Sequence, residues 1–265
     1  MDMTRLSACS FPLKDRPVEE AFRIIGEAGF KKVDLVGAMP HLSLDPSQCD
    51  PEALKAKAEA RGLKIANLGT YVGKAFASAD PAEQKRELDQ TRRAIDLAAF
   101  FGARSIRVMP GDNKPESIDR IVPWFRRCAE YAAEKGVFLG FENHGQPISG
   151  NPDRCRELAE KAGSRFFGVL YDPGNLMNAG TDYRAAFETM KDHIVHTHFK
   201  DFAQTPNGPQ KVMLGEGEID FVWILKRLEN VGYDGDVAVE YELKTVPPET
   251  GLKKWFLAAQ VWRDA

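Results

Sequence analysis

Several features that would mark particular protein classes are missing from this sequence. Its four cysteines are widely separated, and no Cys-x-x-Cys pair suggests a zinc or redox site. No basic stripe accompanies the formal net charge of -3 and the pI near 6.0, so a nucleic-acid partner is not indicated. No stretch approaches the roughly 18 uninterrupted apolar residues of a membrane span, and no secretion signal precedes the first strand pattern. We therefore expect a cytoplasmic protein with reduced thiols.

A glycine-rich phosphate loop is also missing. The first predicted strand is followed by Cys9-Ser10-Phe11-Pro12, which cannot cradle a pyrophosphate in the way the first turn of a dinucleotide-binding sheet does. A later Gly215-Glu216-Gly217 segment lacks the Lys-Ser/Thr ending of a phosphate loop, and we expect it to shape a turn. An open, doubly wound nucleotide-binding sheet is therefore disfavoured.

What the sequence does contain is a regular alternation of strand-like and helix-like segments. The predicted strands cover residues 6–10, 32–36, 63–68, 104–109, 137–142, 166–172, 193–200 and 237–242. Between them, Asp or Asn followed by Pro marks helix starts and Gly marks helix ends. Eight strand and helix pairs of about 30 residues each match a closed parallel barrel. We predict a single α/β domain over residues 1–265, a (β/α)8 TIM barrel.

The seventh predicted strand carries an unusual polar face. In the stretch Ile-Val-His-Thr-His-Phe-Lys-Asp, residues 194–201, His196, His198 and Lys200 share one face because side chains alternate along a strand. In a strand that is buried on both sides, these groups need carboxylates, a metal or a polar ligand. Carboxylates stand at three other predicted strand ends, and they are Glu142, Asp172 and Glu240. The sequence therefore predicts a site at the carboxyl ends of the strands.

The charge of this cluster favours a divalent metal. Three carboxylates within a few ångströms of each other cannot all stay ionised without a cation. An oxygen-rich set with one histidine suits Mn²⁺ best in our interpretation, with Mg²⁺, Co²⁺ or Zn²⁺ as alternatives. A buried ionic network, in which His196 or Lys200 supplies the positive charge without any metal, is the competing interpretation.

Five segments carry a family resemblance. Gly-Phe-Glu-Asn-His, Tyr-Asp-Pro-Gly-Asn, His-Thr-His-Phe-Lys-Asp, Gly-Glu-Gly-Glu-Ile-Asp-Phe and Val-Glu-Tyr-Glu, in this order, resemble the xylose isomerase-like TIM-barrel superfamily. Within it they are similar to the sugar phosphate isomerase/epimerase group, which includes ketose 3-epimerases and hydroxypyruvate isomerases. The resemblance implies that Glu142, Asp172, His198 and Glu240 are the metal ligands, and that the two glutamates also move the proton. It further implies a homo-oligomer, a dimer or a tetramer.

The implied chemistry acts on a small carbohydrate, which is a keto-sugar, a hydroxy-ketone or a sugar phosphate. A metal that chelates the carbonyl and the adjacent hydroxyl oxygen stabilises an enediolate, and a glutamate takes the proton from the neighbouring carbon. Glu142 and Glu240 on opposite sides of the substrate would allow epimerisation, whereas transfer by one glutamate between neighbouring carbons would be isomerisation. The sequence leaves both open.

Three other functions are weighed against this one. Expulsion of a β-hydroxyl from the enediolate would make the chain a dehydratase, as in the inosose and dehydroshikimate dehydratases of the superfamily. An endonuclease IV-like nuclease is a remote alternative, because five histidines are too few for a trinuclear site and the acidic balance disfavours a duplex. A sugar-binding barrel without catalysis would gain nothing from paired metal-bound glutamates.

Further residues are predicted to contact the substrate. His144 shares the face of Glu142, and Lys200 lies one alternation beyond His198. Two positions depart from the ketose 3-epimerases, which generally carry His and Arg where this chain has Asn175 and Gln204. The full set of substrate-binding candidates is His144, Asn175, Lys200, Arg107, His41 and Asn67. For the last three, at the ends of the fourth, second and third strands, ordinary loop or interior hydrogen bonding is the alternative.

Overall fold

A closed barrel of eight parallel strands organises the computed structural model, which describes residues 1–264. The barrel strands are β1 (Leu6–Cys9), β2 (Lys32–Val36), β3 (Lys64–Gly69), β4 (Ser105–Val108), β5 (Phe138–Glu142), β6 (Phe167–Tyr171), β7 (Ile194–Phe199) and β10 (Val237–Val239). A separate two-stranded sheet consists of β8 (Asp201–Thr205) and β9 (Gly208–Val212). Around the barrel the order is β1, β10, β7, β6, β5, β4, β3, β2, and β2 closes on β1. The predicted (β/α)8 barrel is confirmed.

Helices follow the barrel strands and cover the outside of the barrel. They are α1 (Val18–Ala28), α2 (Pro51–Glu59), α3 (Pro81–Phe101), α4 (Ile118–Lys135), α5 (Pro152–Ala162), α6 (Pro173–Asn178), α7 (Tyr183–Met190), α8 (Phe221–Asn230) and α9 (Pro248–Ala258). The predicted caps hold at Asp80 and Asn151, whose side chains accept backbone N–H groups of the first turn. Among residues 1–264 no helix has the length and apolar character that crossing a bilayer requires.

Two elements after the site strands were not predicted. The short helix α6 begins directly after Asp172, whose side chain accepts the N–H of Asn175 as its cap. A two-stranded antiparallel hairpin, β8 and β9, lies between the seventh and eighth predicted strands, where no strand was predicted. Its turn ends at Gly208, which has a φ of +95°, a backbone conformation that glycine adopts without strain.

The barrel interior is polar toward the carboxyl ends of its strands. Asp34 of β2 bonds to His198 of β7, and these two strands are not neighbours, so the contact crosses the interior. Lower in the barrel, Gly140 and Gly168 leave room for close approach, since a Cβ at Gly168 would lie 2.1 Å from the carbonyl oxygen of His193. The fold therefore gathers polar side chains at one mouth of the barrel.

Candidate metal centre

Four side chains from four adjacent strands converge at that mouth. Glu142 is the last residue of β5, Asp172 directly follows β6, His198 lies near the end of β7, and Glu240 directly follows β10. Each offers one ligand atom, and these four atoms all lie within 4.8 Å of one another. His198 Nδ1 is 3.4 Å from Glu142 Oε1 and 3.7 Å from Glu240 Oε2. The four residues named from the sequence are therefore brought together.

Two asparagines hold part of this cluster in place. Asn143 and Asp172 exchange hydrogen bonds, since the Asn143 amide donates to the Asp172 carbonyl at 2.7 Å and accepts the Asp172 N–H at 2.8 Å. The Asn175 amide donates to Glu142 Oε1 and to the Asn143 carbonyl, both at 3.1 Å. Asn175, predicted to bind substrate, thus orients a candidate ligand.

Two atoms of the cluster lack hydrogen-bond partners among the described residues. They are Asp172 Oδ2 and His198 Nδ1, and both are buried. Asp172 Oδ2 has the Lys200 ammonium at 3.1 Å as an ion-pair neighbour. His198 Nε2 lies 2.9 Å from Asp34 Oδ2; because an ionised carboxylate only accepts, Nε2 carries the proton that is donated. The other ring nitrogen, Nδ1, faces the carboxylates of Glu142 and Glu240. Although burial lowers the pKa of His198, neighbouring negative charges that include Asp34 and Glu240 raise it well above its usual value, so Nδ1 is protonated without a cation. A bound divalent cation would take the place of that proton. A divalent cation would satisfy both atoms, so the donor set fits an oxygen-rich metal site with one nitrogen.

The electrostatics differ among the three carboxylates. Burial raises the pKa of Glu142 and so does Glu240, but His198 and Arg107 outweigh them and lower it to about 2. Burial likewise opposes ionisation of Glu240, yet the pKa of Glu240 is lowered because Lys200 and His198 favour its charged form. Both glutamates are therefore ionised at neutral pH.

Asp172 behaves in the opposite way. Its burial is complete, and this desolvation raises its pKa to about 7 despite the nearby Lys200 ammonium. The negative charges of Glu142 and Glu240 raise it further. A divalent cation at the cluster would favour the ionised form of Asp172.

Lys200 lies among the carboxylates instead of projecting freely. Its Nζ is 2.6 Å from Glu240 Oε2, 3.1 Å from Asp172 Oδ2 and 3.3 Å from Glu242 Oε2. Glu242 also pairs with Lys211 of β9 at 2.7 Å, which links the hairpin to the site. One ammonium thus compensates part of the negative charge, as the competing interpretation of the sequence required.

Arg107 and His144 border a cleft beside Glu142. Arg107 Nη1 donates to Glu142 Oε2 at 3.0 Å, and its guanidinium lies 4.5 Å from the centroid of the Tyr71 ring. His144 is exposed, and its Nδ1 accepts the N–H of Gly145. Both residues, with Glu142, line a cleft of about 390 Å³. Arg107 and His144 therefore lie where they would contact a molecule that occupies the cleft beside Glu142.

His41 and Asn67, two further predicted substrate contacts, are buried and hydrogen-bonded inside the protein. His41 is buried, with one ring nitrogen 3.0 Å from Ser10 Oγ and the other 3.0 Å from the Leu13 carbonyl, so both are occupied within the first loops. Asn67 is also buried and donates to Asp34 Oδ1 at 2.9 Å. Interior hydrogen bonding, the alternative weighed for both residues, is what the structure shows.

Asp34 is the residue that sequence reasoning missed. It is buried in β2, and its Oδ2 accepts from His196 at 2.8 Å and from His198 at 2.9 Å. The sequence contained a signal, since the apolar strand Lys-Val-Asp-Leu-Val carries a charged residue on the face opposite to Val33 and Leu35. Such a residue inside a buried strand requires a partner across the barrel.

A closed parallel barrel with a cluster of ligand-type side chains at the carboxyl ends of its strands is the arrangement of a TIM-barrel enzyme. The chain belongs to the xylose isomerase-like TIM barrel family, whose sequence model matches residues 22–258. This family includes epimerases and dehydratases, and the chain is therefore a member of an enzyme superfamily.

Three similar proteins illustrate its range. The Escherichia coli K12 protein named "Putative L-ribulose-5-phosphate 3-epimerase SgbU" is 30% identical over 174 residues, which cover 62% of this chain and 61% of that protein. The inosose dehydratase of Lacticaseibacillus casei is 27% identical over 288 aligned positions, which cover 95% of this chain and 90% of the dehydratase. The crystal structure of a Mycobacterium smegmatis xylose isomerase-like TIM barrel protein in complex with magnesium has a TM-score of 0.78 at 19% identity, and covers 95% and 90% of the two chains.

Proposed function

We propose that this chain is a divalent-metal-dependent isomerase or epimerase that acts on a keto-sugar, a hydroxy-ketone or a sugar phosphate. The observation that carries the proposal is the convergence of Glu142, Asp172, His198 and Glu240, with two of their buried polar atoms left without a hydrogen bond. Mn²⁺ is the metal we favour, and Mg²⁺, Co²⁺ and Zn²⁺ are alternatives. When bound, the metal supplies Lewis-acid stabilisation of the negative charge that develops on substrate oxygens.

Glu142 and Glu240 move the proton. A general base must be ionised, and the lowered pKa values of both glutamates meet this requirement. Glu142 is oriented by Arg107 and Asn175, whereas Glu240 is held by Lys200. One ionised glutamate removes the proton from the carbon next to the carbonyl. For the epimer, the other glutamate first takes up a proton from solvent and then delivers it to the opposite face of the enediolate. For the isomer, the same glutamate returns its proton to the neighbouring carbon, while the proton of the hydroxyl group moves to the former carbonyl oxygen.

A second candidate is a dehydratase of the same family. It is supported by the alignment with an inosose dehydratase, which covers 95% of this chain, and by the position of Lys200. The pKa of Lys200 is raised well above its usual value, because the surrounding carboxylates outweigh the effect of burial. A Lys200 ammonium within reach of the β-carbon could donate a proton to the departing hydroxyl. Loss of water then leaves an enone.

Purified protein tests the proposal by metal analysis and a panel of keto-sugars incubated in D₂O. We expect a bound divalent metal, and deuterium in the product without loss of water. An enone absorbance and release of water would instead select the dehydratase. A protein that turns over equally well after removal of its metal would refute both candidates.

Glu142→Gln and Glu240→Gln test the proton transfer, each assayed with saturating Mn²⁺ so that weaker metal binding does not limit the rate. Each should lower kcat by about 10²- to 10⁴-fold, the usual contribution of a general acid or base. Glu229→Gln, on the exposed part of α8, is the control and should retain wild-type turnover. Unchanged turnover in both site variants would refute the assigned roles. A cytoplasmic location and a dimeric or tetrameric assembly stay predictions.

A further inference from the structure

Asp34 forms the hub of a buried hydrogen-bond network. Its Oδ2 accepts from Nε2 of His196 at 2.8 Å and from Nε2 of His198 at 2.9 Å. Its Oδ1 accepts from the Asn67 amide at 2.9 Å. Asn67 Oδ1 in turn accepts the Ser105 hydroxyl at 2.7 Å. Every one of these residues is at most 3% exposed, so the hydrogen bonds lie in a region from which water is excluded.

The network connects opposite sides of the barrel. Ser105, Asn67 and Asp34 lie on the adjacent strands β4, β3 and β2, whereas His198 lies on β7. The Asp34 carboxylate therefore reaches His198 through the interior and not along the sheet. A contact of this kind fixes the imidazole from the side opposite to the Glu142 and Glu240 carboxylates, which face Nδ1.

Binding of a second cation next to Asp34 is one role that this network could have. Ligand atoms of Cys9, Asp34 and His198 do lie within 4.8 Å of one another. Both oxygens of Asp34 already accept protein hydrogen bonds, however, and burial raises the pKa of the Cys9 thiol, which keeps it protonated. Within residues 1–264, the buried atoms of this region that lack hydrogen bonds are Asp172 Oδ2 and His198 Nδ1, which belong to the other cluster. The Asp34 side is complete without a metal.

We propose that Asp34 is a positioning residue, which keeps the proton of His198 on Nε2 and directs the lone pair of Nδ1 at the metal. This inference rests on the proposed metal centre. A neutral imidazole has one N–H, so the acceptor that holds the N–H decides which nitrogen can ligate. A carboxylate in this role also fixes the plane of the ring and increases the basicity of the ligating nitrogen, and loss of such a partner commonly weakens metal binding by about 10- to 100-fold.

Asp34→Asn is the direct test, because an amide keeps the shape of the carboxylate but is uncharged and has one acceptor oxygen for three donors, the two imidazoles and the Asn67 amide. We expect the Kd for Mn²⁺, measured by isothermal titration calorimetry on the full chain, to rise by about 10- to 100-fold. The matched control is Asp236→Asn, the same change at a buried aspartate that pairs with Lys32 at the amino-terminal end of the barrel. The control should keep the Kd within twofold of wild type. An Asp34→Asn protein that is less stable but binds Mn²⁺ as tightly as wild type would overturn the inference.

The tautomer of His198 gives a second readout, which is taken on wild-type protein and does not depend on the folding of Asp34→Asn. In wild-type protein with ¹⁵N-labelled histidine and saturating Mg²⁺, long-range ¹H–¹⁵N correlation spectra should show the His198 proton on Nε2. The chain has five histidines, and the His198→Gln spectrum identifies the signal by its loss. A proton on Nδ1 would overturn the role of Asp34 whatever the variant does. If wild-type protein bound neither Mn²⁺ nor Mg²⁺, the metal centre itself would fail, and the positioning role with it.

Discussion

Lys200 is the residue that most affects the charge balance of the candidate metal centre. Its side chain is 5% exposed and its ammonium contacts carboxylates of Asp172, Glu240 and Glu242. Burial of several anions around one cation is tolerable only while the cation remains, because each unpaired charge in a region of low dielectric is costly. Lys200 and a divalent metal would therefore both neutralise the negative charge of the carboxylates.

The first prediction concerns Lys200→Met, which keeps much of the side-chain volume and removes the charge. In metal-free protein we expect the free energy of unfolding, measured in urea with EDTA present, to fall by about 3–5 kcal/mol. Saturating Mn²⁺ should restore part of this loss, since the metal also neutralises the carboxylates. Lys211→Met is the control: its side chain is 40% exposed and pairs with Glu242, and the expected change is within about 0.5 kcal/mol. Equal stability of the two variants would contradict this assignment of charge.

At the scale of residues, the sequence predicted the candidate ligands but not the side chain that holds one of them, Asp34. Glu142, Asp172 and Glu240 were identified because each stands at a strand end, where a parallel barrel exposes its functional groups. Asp34 lies in the middle of β2, and only its charge in an apolar strand distinguished it. Its pairing with His198 depends on the geometry of two strands that are far apart in sequence, and no local pattern specifies that geometry.

At the scale of elements, the side chain of Asp201 connects the hairpin of β8 and β9 to the loop that follows it. Asp201 Oδ2 accepts the N–H groups of Gly215 at 2.9 Å and Gly217 at 3.0 Å, and Oδ1 accepts that of Phe202 at 2.9 Å. Gly217 must be small here, because a Cβ on it would lie 2.1 Å from Asp201 Oδ1. This loop leads back from the hairpin, whose Lys211 contacts Glu242 beside the site.

The second prediction is that Gly217→Ala disrupts the anchor. The added methyl group should displace Asp201 and lower the free energy of unfolding by about 1–3 kcal/mol, the usual cost of overpacking. Amide hydrogen exchange should increase in residues 201–219 more than elsewhere. Gly145→Ala is a matched control, because its Cβ would meet only the Ala179 side chain, at 4.0 Å. No difference between the two variants in urea unfolding would refute the anchoring role.

The elements that escaped prediction had weak or competing local signals. Asn207-Gly208 is typical of a hairpin turn, but Pro206 precedes it, and the flanking segments alternate poorly between apolar and polar residues. Helix α6 has six residues and begins at a strand end, so its cap residue Asp172 was assigned to β6. Short elements of this kind are stabilised by tertiary contacts more than by their own propensity.

For the whole molecule, metal binding and folding should be linked. The four candidate ligands come from β5, β6, β7 and the end of β10, which converge only when the barrel is closed. A cation that binds the folded chain and not the unfolded chain stabilises the fold by RT ln(1 + [L]/Kd). A bound cation would therefore connect four strands of the second half of the chain, β5, β6, β7 and β10.

The third prediction follows from this linkage. Addition of Mn²⁺ at about 100 times its Kd to EDTA-treated and desalted protein should stabilise the fold by about 2.7 kcal/mol. The measurement is the midpoint of urea unfolding as a function of metal concentration. His198→Gln should lose most of the effect. An Mn²⁺ response of equal size in His198→Gln and wild type would show that the cation binds elsewhere.

The sequence by itself determined the order of strands and helices, the caps that separate them, and the strand ends that carry acidic and basic side chains. These features are local: alternation, capping side chains and glycine ends act within a few residues. Only the tertiary structure decided that Asp34 meets His198, that Lys200 lies among three carboxylates, and that His41 and Asn67 turn to interior partners. Contacts across the barrel depend on how all eight strands close together, and that closure is a property of the packed molecule.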